Sequence, residues 1–188
     1  ARILPPHPDR YQRAMTAFLE HAFPYSPLIE AGEGDGHLFI DSTGTARLFG
    51  PPADVAWRIR KAVNADLSFD PIWAVASNKL VAKVATRVVK PTGEYIVEPG
   101  QEGDFLRPLP IHLLPGVERE DLLSFRQFHI SRVGELARWT LDQLEIAFGK
   151  RGNYLYRAAR GVDASPVLPA RQKPPVVSRE YQFAEDTN

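Results

Sequence analysis

Ser77-Asn78-Lys79-Leu80-Val81-Ala82-Lys83-Val84-Ala85-Thr86, continuing as Arg87-Val88-Val89-Lys90-Pro91-Thr92-Gly93, is the stretch on which the fold turns. Ser77 stands where a helix N-cap belongs, and Pro91 and Gly93 stop the pattern, so a helix from Ser77 to Lys90 is predicted. On that helix Lys79, Lys83, Arg87 and Lys90 fall within an arc of about 80°. No acid interrupts Ser77–Gly93. Four cations on one stripe suit a phosphate chain or a nucleic-acid backbone. A solvated helix face is the alternative.

Upstream, Asp70–Ala76 is a strand candidate and Pro51–Leu67 a helix, with Val55, Ile59, Ala62 and Val63 on one face. His37–Asp41 is short and apolar enough for a strand, and the Gly-rich, acidic Glu30–Gly36 before it is a turn. A first helix begins at Pro8 and Asp9 and is broken by Pro24. Downstream, Tyr95–Val97 is a short strand. Helix and strand thus alternate as far as Val97, and a sheet with helices packed on it is expected. From Glu98 only short helical patterns remain: Asp104–Leu106, Arg119–Phe128, Val133–Arg138, Leu141–Phe148 and Gly152–Arg160. A domain boundary is therefore placed near Glu98, and a Pro-rich linker at Leu168–Val177.

Composition narrows the function. The 188 residues carry 23 Lys+Arg against 23 Asp+Glu. The charges balance within 1–100 and within 101–188 separately. That excludes a polybasic nucleic-acid coat and an acidic tail. The absence of cysteine removes disulfides, thiol nucleophiles and cysteine metal sites. No apolar run approaches the roughly 18 residues of a membrane helix, and no signal peptide opens the chain, so a soluble, cytoplasmic protein is expected. The lack of an initiator Met and a strand-like start that stops near the last residue suggest a fragment.

Two further groupings bear on chemistry. Leu114-Pro115-Gly116-Val117 lies between two short helices, where a tight turn can present backbone N–H groups to phosphate in the manner of a helix–hairpin–helix. Glu30, Glu33, Asp35 and Asp41 surround a turn and a strand. Paired carboxylates there would suit magnesium and phosphoryl transfer, although acids in Gly-rich turns are ordinarily solvated. The five histidines show no metal-ligand spacing, and Gly32–Gly36 leads into a strand, the wrong context for a nucleotide loop.

Taken in order, these motifs resemble the Y-family (DinB/UmuC-type) translesion DNA polymerases. Ser26–Glu30 and Asp41–Gly50 are similar to the segments flanking the family's catalytic strand. Ser77–Thr86 matches its "NKxxAKxAS" palm helix, and Lys90–Gly93 its "KPxG". Leu109-Pro110, Leu114–Val117, Ile130–Ala137, Phe148-Gly149 and Ala159–Asp163 match its thumb. Ser178–Phe183 resembles the start of its little finger. The resemblance implies an α+β palm portion, an incomplete sheet with packed helices, over residues 1–97. It implies a small all-α helix–hairpin–helix thumb over 98–168, and the linker and start of the little-finger domain over 169–188. The fingers and an early palm strand bearing one catalytic aspartate would precede Ala1.

The resemblance fails at the catalytic strand. The family writes "S-x-D-E-A-F-L-D", and counting back from Asp41 puts Gly36 at the aspartate and His37 at the glutamate. Asp35 is a weak candidate, because it faces the wrong side unless a bulge re-aims it. Two carboxylates that would hold magnesium in active members are therefore missing, so no catalytic residue, metal or cofactor is expected in this stretch. In this the chain is similar to the ImuB-type members, non-catalytic adaptors in mutagenic, SOS-type repair. Glu118 replaces the second glycine of the hairpin, where an acid would repel phosphate and take away glycine's backbone freedom. Lys90 matches a lysine that touches the incoming triphosphate.

Lys79, Lys83, Arg87, Lys90, Pro115, Gly116, Val117 and Glu118 are thus the expected phosphate-facing residues, with weak binding of primer–template DNA. A polymerase or sliding clamp would be engaged through regions outside this chain, and no membrane contact is expected. Two alternatives stand beside this: an active error-prone polymerase completed by segments upstream, and an interaction scaffold that has lost DNA.

Overall fold

The structure, a computed structural model, describes residues 7–32 and 36–169. Helix α1 (Pro8–Ala22) opens with Pro8 in its first turn and Asp9 beside it. Proline loses there only a donor that would be orphaned, and the acid meets the positive end of the helix dipole. A hairpin follows. Strands β1 (Ile29–Ala31) and β2 (Leu38–Ile40) run antiparallel, with Ile29 opposite Ile40 and Ala31 opposite Leu38. Buried Ser26 fixes its open end: the hydroxyl donates to the Asp41 carbonyl at 2.6 Å and accepts from the Leu28 amide at 3.1 Å. Next come α2 (Ala46–Phe49) and α3 (Pro52–Leu67). Ala22, Ile29, Val55, Ile59 and Val63 form a small core between α1, the hairpin and α3.

The decisive stretch is a β-α-β unit. Strands β3 (Trp73–Val75) and β4 (Glu94–Ile96) pair in parallel, Trp73 beside Glu94, and α4 (Lys79–Val88) is the crossover that parallel pairing requires. Leu80, Val81, Val84 and Ala85 lie on one face of α4. They enter a larger core with Val97, Leu106, Leu114, Phe125, Leu136, Leu144 and Leu155. Among the described residues the strands form two separate two-stranded sheets.

The rest is helical: α5 (Glu102–Leu106), a 3-10 turn at Ile111–Leu113, α6 (Arg119–Gln127), α7 (Val133–Leu136), α8 (Leu141–Phe148), a 3-10 turn at Gly149–Arg151 and α9 (Gly152–Ala158). Gly152 allows α9 to pack on α8, since a Cβ there would stand 2.6 Å from the Glu145 nitrogen. The mixed palm-like portion followed by an all-helical one agrees with the expected fold class. At Glu98 the strands stop, but the larger core runs across that point from α4 to α9.

Local expectations differ in several places, three of which bear on the site. The N-cap of α4 is Asn78, whose side-chain oxygen accepts from the Val81 amide at 3.0 Å, while the Ser77 hydroxyl donates to Glu102 at 2.6 Å. The helix ends at Val88, so Lys90 sits in the following turn and is exposed. Glu30 and Ala31, expected in a turn, belong to β1. Most of the expected linker, and all of Ser178–Phe183, lie outside the described residues.

Candidate nucleic-acid interface

The cation stripe of α4 is largely committed to the protein's own groups. The Lys79 ammonium donates to both Glu30 oxygens, at 3.0 and 2.8 Å, with both side chains three-quarters or more covered. Phe39 lies beneath the same ammonium, 5.6 Å from nitrogen to ring centroid. The Lys83 ammonium meets His37 Nδ1 at 2.6 Å. An ammonium has only donors, so Nδ1 is the acceptor in this contact. Arg87 donates to the Leu113 carbonyl at 2.8 Å and ties α4 to the 3-10 turn before Pro115. The spacing was legible; the internal partners were not.

The N-terminus of α4 is likewise occupied. Asp163 accepts from the Leu80 amide at 3.1 Å and from the Ser165 amide at 2.9 Å. Burial pushes its carboxyl up, but the bonds from Ser165 and Leu80, with Lys79 nearby, carry it below the ordinary range. Glu30 also accepts from the Leu168 amide at 2.8 Å. The segment after α9 is thereby fastened to the β1–α4 edge.

The positions where the family's acids are expected, Gly36 and His37, lie at the end of the hairpin loop. The Gly32 amide bonds the His37 carbonyl at 3.0 Å and closes the hairpin loop. Gly36 lies in that loop with φ +69°, the left-handed region that favours glycine. Magnesium takes hard oxygen ligands. Gly36 has no side chain, His37 Nδ1 is bound by Lys83, Glu30 holds Lys79, and Asp41 accepts from the Thr43 amide at 2.8 Å. Among the described residues the donors do not fit the family's metal, and no trio of His, Asp or Glu is placed to hold one. Asp35 lies outside the described residues.

The turn at Pro115–Glu118 is built from long-range contacts. Gly116 has φ +68°, and a Cβ on it would stand 2.6 Å from the Tyr154 hydroxyl. That hydroxyl donates to the Pro115 carbonyl. Arg151 donates through Nη2 to the Gly116 carbonyl at 2.6 Å and to Asp121 at 2.5 Å, and through Nη1 to Glu118 at 3.0 Å. Asp121, almost fully buried at the third position of α6, also accepts from the Glu118 amide at 2.9 Å. Val117 leads, half-buried, into α6.

Two expectations about Glu118 are corrected here. It is the N-cap of α6 with φ −93° and ψ 169°, an extended conformation open to any residue, so losing glycine costs no backbone freedom. Its carboxylate is paired with Arg151 and does not face the turn as a lone charge. Arg151 and Tyr154 escaped sequence reasoning because they stand 35 and 39 residues from the carbonyls they bind, and Asp121 because its partner Arg151 is 30 residues away. The one available signal was an acid at the third helical position, which can reach back to the N-cap amide.

Comparison with known proteins completes the picture. Residues 1–87 match the model of the impB/mucB/samB family. A DNA polymerase IV of Stenotrophomonas maltophilia is 34% identical over 188 residues, 99% of this chain and 52% of that protein. A DNA polymerase IV of Dehalococcoides mccartyi is 34% identical over 178 residues, 94% of this chain and 45% of its own. The chain thus spans about half the length of the curated relatives it matches. Among solved structures, DinB from Sulfolobus solfataricus superposes with a TM-score of 0.75 at 22% identity, covering 88% of this chain and 49% of that one. An insertion ternary complex of Dbh DNA polymerase gives 0.76 at 22%, covering 87% and 48%. These superpositions establish the fold, and the family model and the relatives make this chain a member of the DinB/UmuC-type Y family.

Proposed function

We propose that this protein is a non-catalytic, ImuB-like member of its family, a DNA-binding adaptor in translesion repair. The observation that carries the reading is the pair Gly36 and His37. One residue is in a left-handed loop without a side chain, and the other is held on Lys83, at the places where an active member has metal-binding acids. Without those carboxylates no ion offsets the triphosphate's charge, and the main stabilisation of phosphoryl transfer is lost. No catalytic residue and no metal is assigned.

DNA would be held modestly, through the turn at 115–118 and exposed Lys90. Lys79, Lys83 and Arg87 serve to assemble the protein around α4. Contacts with another polymerase or a sliding clamp are assigned to regions outside this chain, and the compartment to the cytoplasm. Among the described residues no helix is long and apolar enough to cross a membrane.

The second reading, an active polymerase whose site is completed by other segments, is favoured by the relatives named DNA polymerase IV at 34% identity. Primer extension by the full-length protein with magnesium or manganese, alongside anisotropy of a labelled primer–template, separates the readings. The proposal expects binding without extension. Extension that depends on the metal selects the polymerase. Neither binding nor extension leaves a scaffold that acts through proteins alone.

A further inference from the structure

Arg151 has an inner and an outer side. Nε and Nη2 face buried Asp121 at 3.3 and 2.5 Å, and Nη2 also holds the Gly116 carbonyl. Nη1 faces Glu118 at 3.0 Å, and 58% of the Glu118 side chain is exposed. The inner contacts are structural, because removing Asp121 would leave the guanidinium without its covered partner. The outer contact is of another kind. It joins two groups at the surface, where an ion pair is weak and easily exchanged. A guanidinium accepts carboxylate and phosphate oxygens in the same geometry. The position also adjoins the Pro115–Val117 backbone, and Glu118 stands where the family has glycine.

We propose that Nη1 of Arg151 is a phosphodiester-binding position beside the turn, and that Glu118 occupies it as an internal competitor displaced by an arriving DNA backbone. This rests on the DNA-binding reading above, and adds to it a named cationic ligand and a built-in restraint on affinity. Binding then requires Glu118 to swing into solvent while Asp121 keeps Arg151 in place.

The test titrates the protein against a fluorescein-labelled primer–template duplex by anisotropy over a salt series, comparing wild type with E118Q and E120Q. Glu120 is an exposed acid in the same helical turn that does not pair with Arg151, so it controls for loss of one negative charge. E118Q is expected to bind about three- to fivefold more tightly at low salt, with a log–log salt slope steeper by about one. E120Q should change affinity less than about twofold and leave the slope unchanged. Thermal melts establish that both variants are folded. Equal gains from the two variants, or no gain from E118Q while wild type binds, overturn the inference and leave DNA binding standing. Absence of binding by all three overturns the DNA-binding reading and the inference with it.

Discussion

On the reading proposed above, the loop at Gly36 and His37 and the turn at Pro115–Glu118 both depart from their family's pattern, in opposite senses. At the first, acids give way to a glycine and an imidazole, whose Nδ1 meets Lys83 and whose ring stands edge-on to Phe39. At the second, a glycine gives way to an acid, and a knot of Arg151, Asp121 and Tyr154 surrounds it. Residues that serve chemistry can be lost at the cost of chemistry alone. Residues that shape a packed turn can change only if the packing still closes. The loop should therefore tolerate substitution, and the turn should not.

The sharpest contrast is expected between D121A and H37A. Asp121 is nearly buried and shares a charge pair with Arg151, whose side chain is 32% exposed. Breaking such a pair costs about 3–5 kcal/mol when fully covered, and about 2–4 kcal/mol after allowance for that exposure. H37A should cost less than about 1 kcal/mol, the range of changes away from packed cores. Urea denaturation of both variants measures the difference, and equal losses would break the comparison.

Next come two glycines of nearly the same conformation. Gly36 and Gly116 have φ of +69° and +68°, but a Cβ on Gly36 meets nothing within 4 Å, whereas one on Gly116 strikes Tyr154. Alanine at Gly36 carries only the left-handed cost of about 1–2 kcal/mol. At Gly116 it must also push the phenol off the Pro115 carbonyl, adding about 1 kcal/mol for the lost hydrogen bond. Urea denaturation of the two alanine variants gives the difference, which isolates packing from backbone conformation.

A smaller effect is expected at the hairpin's attachment to α4. E30Q keeps acceptor capacity for the Leu168 amide but discharges Lys79's partner, and should lower stability by about 1 kcal/mol. A loss above about 3 kcal/mol would mean that the hairpin is bound as rigidly as the turn.

The smallest effect is one of pH. Burial pushes the Tyr154 phenol above its ordinary 10.0. Because the neutral form is favoured in the folded state, its contribution is complete below pH 10 and is lost as pH rises through the higher folded value. Tyrosinate absorbance should show the Tyr154 phenol titrating above its ordinary value in the native protein, as a component that Y154F removes.

Much of the fold was legible. Leu141–Phe148 was predicted and found with the same ends, and the Pro8 and Pro51 starts marked α1 and α3 to within a residue. Proline, glycine and helical spacing act locally, and local signals survive in a sequence. Three-residue β1 did not, because Ile29-Glu30-Ala31 is made a strand by its pairing with β2 and not by its own pattern. The positions of Gly36 and His37 in the candidate site could be counted back from Asp41. What Lys79, Lys83 and Arg87 touch could not, since Glu30, His37 and Leu113 lie tens of residues away. Nor could the knot at Arg151, which joins α6 to the chain 30 residues later.

The central claim is that no catalytic metal site survives at the hairpin loop. It is tested most directly by paramagnetic broadening of amide signals on titration with Mn²⁺, with the double variant G36D/H37E as reference. The wild-type amides of Gly36, His37 and Asp41 should keep their intensity while remote and neighbouring amides behave alike. Selective loss of those three signals in the wild-type protein would contradict the claim.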